Sequence, residues 1–305
     1  MSAEVLTSAS NPKIKKLIAL QQKSSERRES GLFVVEGRRE IEHCVNAGYV
    51  VDSVFYCPEL AESIDLSAFA AEAAPALKGL VPPPARGRAP FREGVSVRAG
   101  ADAAKNADKK NHTPRIFQVS KEIYEKIAYR ESTEGVIAEV RTRDLKLEDL
   151  QLGQNPLIMV LESVEKPGNL GAVLRSADAS GVTAVLVCDP KTDLYNPNLI
   201  RASIGAIFTV PCVACSSEDA IKFLKDNNIQ ILTAQLQDSS LYYDCDMKRG
   251  TAIVMGTEAT GLTAIWRKAA DAHIRIPMLG RLDSLNVSVS AAILLYESVR
   301  QRNNG

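Results

Sequence analysis

No stretch of this chain approaches the ~18 consecutive apolar residues that a membrane-spanning helix needs, so no membrane partner is expected. The start, Met1-Ser2-Ala3-Glu4-Val5-Leu6, lacks a basic region followed by an apolar one. It does not read as a secretory signal, and a cytoplasmic protein is the simplest expectation. Histidine is scarce, with only His43, His112 and His273. The six cysteines, at 44, 57, 188, 212, 215 and 245, are scattered through apparent strands and helices. Cys212-Val213-Ala214-Cys215 has the two-residue gap of a metal or redox pair, but no second pair and no nearby histidine completes a zinc set. Ordinary buried thiols and no metal are the reading. Net charge is also missing: 37 Lys and Arg offset 37 Asp and Glu. That removes the easy argument for a nucleic-acid partner.

What is present is a globular composition, 45% hydrophobic and 24% charged, on a length of 305 residues that suits two domains. The charge is unevenly placed. Residues 75–113 hold eight Lys and Arg against three acids, and the stretch from Lys13 to Arg39 is basic as well. Local basic surfaces of this kind are compatible with RNA.

Residues 1–140 read as a compact α/β unit. Asn11-Pro12 is a cap followed by proline at the first helical position, with Ile14, Leu17 and Ile18 on one apolar face. Leu32–Val35 and Val51–Tyr56 read as strands, with a helix between them from Arg38 to Ala47 that Gly48 stops. After an interruption the pattern resumes: 116–119 extended, 121–127 helical, 135–140 extended. The interruption, 75–114, holds six of the fourteen prolines and few large apolar side chains. Such a segment cannot bury enough surface to offset its ordering entropy, so it reads as a flexible basic insertion. Residues 141–156 read as the linker.

From Leu157 to the end the chain alternates regularly. Strands are expected at 157–161, 183–188, 230–235, 251–255 and 273–276, and helices at 170–180, 197–204, 217–227, 262–270 and 286–301. This is the pattern of an open parallel sheet covered on both faces, in which ligands bind beyond the carboxyl ends of the strands. Three polar segments follow such ends. In the first, Asn169 sits where a helix would start and reads as its cap, Gly171 allows close approach, and Arg175, nearly two turns on, is expected on a face close to Asn169. The second is Gly256-Thr257-Glu258-Ala259-Thr260-Gly261-Leu262, a glycine turn with exposed amides but neither the Lys-Ser/Thr of a phosphate loop nor a Gly-x-Gly-x-x-Gly run. The third is Ile276-Pro277-Met278, then Ser284-Leu285-Asn286-Val287-Ser288 opening an apolar helix. A helix start rich in small polar residues offers spare amides and a positive dipole end to a ligand.

These three ordered segments resemble the motifs of the SpoU/TrmH family, RNA ribose 2′-O-methyltransferases of the SPOUT superfamily, over residues 157–305. Residues 5–60 and 116–140 resemble the small substrate-binding domain often placed before that catalytic domain, most recognisably at Phe33-Val34-Val35-Glu36-Gly37. The resemblance implies a SPOUT-type parallel sheet with a C-terminal trefoil knot behind a smaller N-terminal α/β RNA-binding domain. It implies S-adenosylmethionine, with the backbone around Gly256, Gly261, Ile276 and Leu285, and a wall at Thr233-Ala234-Gln235, holding the adenosine part. It implies pairing into a homodimer through the knotted region, and an RNA partner: ribosomal RNA first, transfer RNA as the same-class alternative, and no DNA. A catalytically inactive RNA-binding assembly factor is a further alternative, which loss of Arg175 or of the Ser284–Ser288 run would have favoured. The arginine matching Arg175 is regarded as catalytic in the family. A guanidinium stays protonated to a pKa above ~12, so clamping a phosphate or stabilising a developing alkoxide are its defensible roles. Asn169, Glu258, Ser284 and Asn286 would then hold the pocket and the arginine.

Overall fold

The computed structural model describes residues 3–61, 113–129, 134–257 and 260–303. The basic, proline-rich segment therefore lies outside the described residues, except for its last two positions. The chain divides into two compact units, one of residues 1–143 with 195–197, the other of 144–194 and 198–305.

The first unit is a mixed sheet with helices. Its strands are β1 (Glu4–Leu6), β2 (Leu32–Glu36), β3 (Val51–Tyr56), β4 (Arg115–Val119) and β5 (Val136–Arg141), in the order β1-β4-β3-β5-β2. β4 runs parallel to β1 and β3, while β5 is antiparallel to β2 and β3. Helix α1 (Pro12–Gln22) starts as its sequence dictates: the Asn11 side chain accepts from the Lys13 amide at 2.9 Å, and proline fills a position that needs no donor. Ile14, Leu17 and Leu20 are fully buried against Phe55, Phe117 and Ile137 of the sheet. α2 (Ser24–Ser30) follows, and its Arg27 is only 4% exposed because its guanidinium donates to the Leu20 and Gln21 carbonyls at the end of α1. That cation closes a helix rather than meeting a polyanion. α3 (Arg38–Asn46) and α4 (Lys121–Ile127) complete the unit.

In the second unit seven strands form one all-parallel sheet. They are β6 (Leu157–Glu162), β7 (Ala184–Cys188), β8 (Cys212–Cys215), β9 (Gln230–Ala234), β10 (Ser240–Leu241), β11 (Thr251–Met255) and β12 (Ala272–Arg275). Their order is β10-β12-β9-β11-β6-β7-β8. The pattern of apolar runs yields only five of them. β8 and β10 are too short to display an alternation, and β8 is the Cys-Val-Ala-Cys run. The helices are α5 (Pro167–Ser180), α6 (Pro197–Ser203), α7 (Ala206–Thr209), α8 (Ser217–Asp226), α9 (Ala264–Ala269) and α10 (Val287–Asn303). On one face Ile158, Val160, Leu186, Ile231 and Val254 pack with Ala220 and Leu224 of α8 and Trp266 of α9. Against the other lie α5 and α10, packed on each other. Leu145, Leu147, Leu150 and Leu152 are partly buried against the first of these cores, so the stretch before β6 is tied down by its leucines.

β6 is the central starting point. The chain moves from it to β7 and β8 on one side, then crosses to the other side for β9 to β12. A reversal of this kind leaves a crevice at the carboxyl ends of the strands flanking it. The three polar segments all leave from that end.

Candidate active site

α5 begins at Pro167, with Lys166 before it and no side-chain cap. Asn169 is therefore its third residue and not its cap, because proline takes the first position at no cost in hydrogen bonds. Freed from capping, its side-chain oxygen accepts from Asn286 Nδ2 at 3.2 Å, across 117 residues. Asn286 in turn is the residue that caps α10: its own oxygen accepts from the Ser288 amide at 2.9 Å and the Ser288 hydroxyl at 2.6 Å. The Ser288 amide at this helix start is thus not spare. One asparagine closes the helix and ties the first motif to the third.

Gly171 is buried on α5 where a Cβ would lie 2.5 Å from Ala202 Cβ and 2.8 Å from the Ser203 nitrogen. Only glycine lets α5 and α6 approach this closely. After β11 the chain folds back on itself: the Gly261 amide donates to the Thr257 carbonyl at 3.0 Å. A Cβ at Gly256 would stand 2.3 Å from the Gly261 oxygen, and Gly261 itself holds φ +66°. Both glycines are required by this tight loop. Glu258 and Ala259, within it, lie outside the described residues.

The loop is anchored by a residue that the motifs do not single out. Glu162, 2% exposed at the end of β6, accepts from the Thr263 amide at 2.9 Å and the Thr263 hydroxyl at 2.5 Å. The signal for it was an acid closing the apolar run Leu157–Leu161, a position where charge is rarely buried unless paired.

At the end of β9, Thr233 is wholly buried and its Oγ1 lies 2.6 Å from His273 Nδ1 on β12. Ala234 is half-buried. The Gln235 amide donates to the Ile274 carbonyl at 3.0 Å, and its side-chain nitrogen donates to the Gln237 carbonyl at 2.9 Å. Its Oε1 is buried with no partner among the described residues. Ile276 is half-buried, whereas Ser284 and Leu285 are exposed, Leu285 by 39%. Ser284 donates to the adjacent Asp283 carboxylate.

Arg175 is exposed and makes no hydrogen bond or ion pair among the described residues. Six helical residues turn through about 600°, which leaves Arg175 pointing about 120° away from Asn169. The expected closeness of the two is not realised. The structure joins Asn169 to Asn286 and sets Thr233, Gln235 and Gly256 at the ends of adjacent strands. Among the described residues no hydrogen bond links Arg175 or Ser284 to them.

Residues 156–296 match the SpoU rRNA Methylase family, and residues 11–78 match the MRM3-like substrate binding domain. A crystal structure of an RNA 2′-O ribose methyltransferase superposes with a TM-score of 0.73 at 33% identity, covering 98% of this chain and 99% of that one. The chain belongs to the SpoU rRNA methylase family. Among curated relatives of this SpoU methylase, the 23S rRNA (guanosine-2′-O-)-methyltransferase RlmB of Bordetella pertussis is 36% identical over 193 residues, 62% of this chain and 79% of the relative. RlmB of Salmonella typhi is 37% identical over 175 residues, 55% and 72% respectively. The AdoMet-bound rRNA methyltransferase from Sinorhizobium meliloti shares the fold, with a TM-score of 0.77 at 24% identity over 98% of both chains.

Proposed function

We propose that this SpoU methylase methylates the ribose 2′-hydroxyl of a guanosine in large-subunit ribosomal RNA, with S-adenosylmethionine as donor. The observation that carries the site assignment is the Asn286–Asn169 bond, which unites the first and third motifs beside the Gly256 loop. The RlmB relatives, named for guanosine 2′-O-methylation of 23S rRNA, support the substrate.

The residues present suit the cofactor. Gly256 and Gly261 shape a loop of bare backbone, and Gln235 Oε1, without a partner among the described residues, offers an acceptor at the end of β9. Backbone groups around Gly256, Gly261, Ile276 and Leu285, with the wall Thr233-Ala234-Gln235, would hold the adenosine part. When bound, S-adenosylmethionine supplies a methyl group already activated on a sulfonium, so alignment can supply much of the acceleration.

The chain's own groups then have limited work: to orient the ribose and to make loss of its 2′-proton easier. Arg175 stands exposed on α5, its fork available for a phosphate beside the target ribose. A bound guanidinium there also favours a developing alkoxide. Asn169 and Asn286 fix the start of α10 against α5, and Glu258 and Ser284 are assigned to the polar lining.

The C-terminal knot, the homodimer and a cytoplasmic setting belong to the same reading. In its favour, α10 is locked at its end, where Arg302 donates to the Met247, Asn155 and Arg249 carbonyls at 3.0, 2.8 and 2.8 Å. Its exposed Val289 and Tyr296 leave apolar surface for a second copy. The first unit is assigned to RNA binding on its match to a substrate-binding domain.

Mapping ribose methylation across ribosomal and transfer RNA in cells with and without the gene tests the substrate. One missing 2′-O-methylguanosine in large-subunit RNA is expected. A missing mark in transfer RNA instead would move the enzyme to the other substrate class.

A further inference from the structure

Two thiols at the carboxyl ends of β7 and β8 have no part in the proposed reaction. Cys188 and Cys215 are register partners on adjacent parallel strands, and their sulfurs lie 3.9 Å apart. Cys188 is wholly buried, while Cys215 is partly open to solvent. Both point to the same side of the sheet, towards Val213 and Leu186. A register slip of one residue would have put them on opposite faces. Neighbouring strands run ~4.8 Å apart, inside the ~4.4–6.8 Å between Cα atoms that a disulfide spans. An S–S bond here asks for side-chain rotation and little backbone movement.

The pair is also polarised. The contact between the two sulfurs holds Cys215 below the usual thiol value, against its partial burial and the nearby Asp219 and Asp189 carboxylates. The same contact, with burial, pushes the Cys188 thiol up. The sulfur with the lowered pKa is the one open to solvent, and the one with the raised pKa is the buried one. Among the described residues no group of three or more His, Cys, Asp or Glu is placed to hold a metal ion.

The geometry points to a dithiol–disulfide site that reacts with peroxides, Cys215 as the attacking sulfur and Cys188 as the resolving one. The Cys215 thiolate bonds to one peroxide oxygen as the O–O bond breaks, and the departing hydroxide takes a proton to become water. The Cys188 thiol then attacks the Cys215 sulfur. The S–S bond forms, and the sulfenic oxygen leaves as a second water carrying the Cys188 proton. Two thiols and one hydrogen peroxide thus give one disulfide and two waters. The thiols lose two electrons and the peroxide gains them.

The test treats the full-length protein with equimolar hydrogen peroxide, alkylates it with iodoacetamide in denaturant, and digests it without reductant. The peptides holding Cys188 and Cys215 should appear joined, lighter by two hydrogens and separable by dithiothreitol, with Cys44, Cys57, Cys212 and Cys245 alkylated. Cys188→Ser should leave Cys215 as a sulfenic acid that dimedone traps. Cys215→Ser, at the more open position, should leave Cys188 reduced. Full alkylation of both cysteines after peroxide would overturn the assignment, and so would oxidation of Cys188 in the Cys215→Ser protein.

Discussion

Replacing Gly171 by alanine sets two known effects against each other on one helix. In the interior of α5 the change favours the helix by about 0.5–1 kcal/mol, because glycine gives up the most backbone freedom on folding. The new methyl, however, meets Ala202 Cβ at 2.5 Å and the Ala202 carbonyl carbon and Ser203 nitrogen at 2.8 Å. Carbon atoms rest at ~3.5–4.0 Å, so α6 must retreat from α5 by roughly 1 Å at the contact. Overpacking of this size costs about 1–3 kcal/mol, which outweighs the helix gain. Gly168, three residues earlier on the same helix, has nothing within 4 Å of its missing Cβ. Gly168→Ala should therefore stabilise by about 0.5 kcal/mol. The assay is built in: Trp266 is the chain's single tryptophan and lies fully buried in the second unit's core. Its fluorescence during urea unfolding reports on that unit alone. Gly171→Ala should lower the midpoint at unchanged slope, or the Tm by several degrees at ~2–4 °C per kcal/mol, and Gly168→Ala should raise it. A Gly171→Ala protein as stable as the parent would refute the close-packing account. Because α5 also carries Asn169 and Arg175, a 1 Å shift should cut methyl transfer by about 100-fold.

Asn286→Ala removes both the α10 cap and the bond to Asn169, costing about 1 kcal/mol of stability; Asn286→Ser should recover the stability but not methyl transfer, as thermal melts and turnover assays on both will show. Arg302→Ala strips donors from the carbonyls of Met247, Asn155 and Arg249, and urea titration should register a loss of about 2–3 kcal/mol. Glu139 is 3% exposed, takes one bond from Ser53 at 2.7 Å, and has its other oxygen buried without a partner among the described residues. Burial raises its carboxyl pKa above the ordinary value, against the Ser53 bond and the charge of Lys16. A raised acid stabilises the fold only while protonated, an advantage full below its unfolded pKa and lost as pH rises through the folded one. Glu139→Gln should then raise the Tm at pH 8, with the gain vanishing towards pH 4; an equal effect at both pH values would contradict the buried-charge reading.

Much of the second unit was legible because its physics is local. Apolar runs such as Leu157–Leu161 and Thr251–Met255 can only be buried strands, and the polar segments after them fall at strand ends for the same reason. What escaped depended on partners distant in the chain. Asn169 resembles a cap in sequence, yet Pro167 starts the helix two residues earlier, and only the fold reveals Asn286 as its partner. Glu162 is indistinguishable from a strand-end acid until Thr263 arrives from 101 residues away. β8 was hidden because four residues are too few to show a period, and its two cysteines drew attention to metal chemistry. In sequence Gly256 and Gly261 suit a turn or a ligand's close approach alike, and the 2.3 Å clash at Gly256 with the φ of +66° at Gly261 establishes the turn role.

The central claim is methyl transfer to a ribose hydroxyl, oriented by Arg175. The most direct measurement gives purified enzyme labelled S-adenosylmethionine and large-subunit ribosomal RNA, then maps the label for the wild type and for Arg175→Ala, with cofactor binding measured on both. One 2′-O-methylguanosine is expected from the wild type, and from the variant unchanged cofactor binding with transfer abolished. Label on a base, or near-normal turnover by Arg175→Ala, would contradict it.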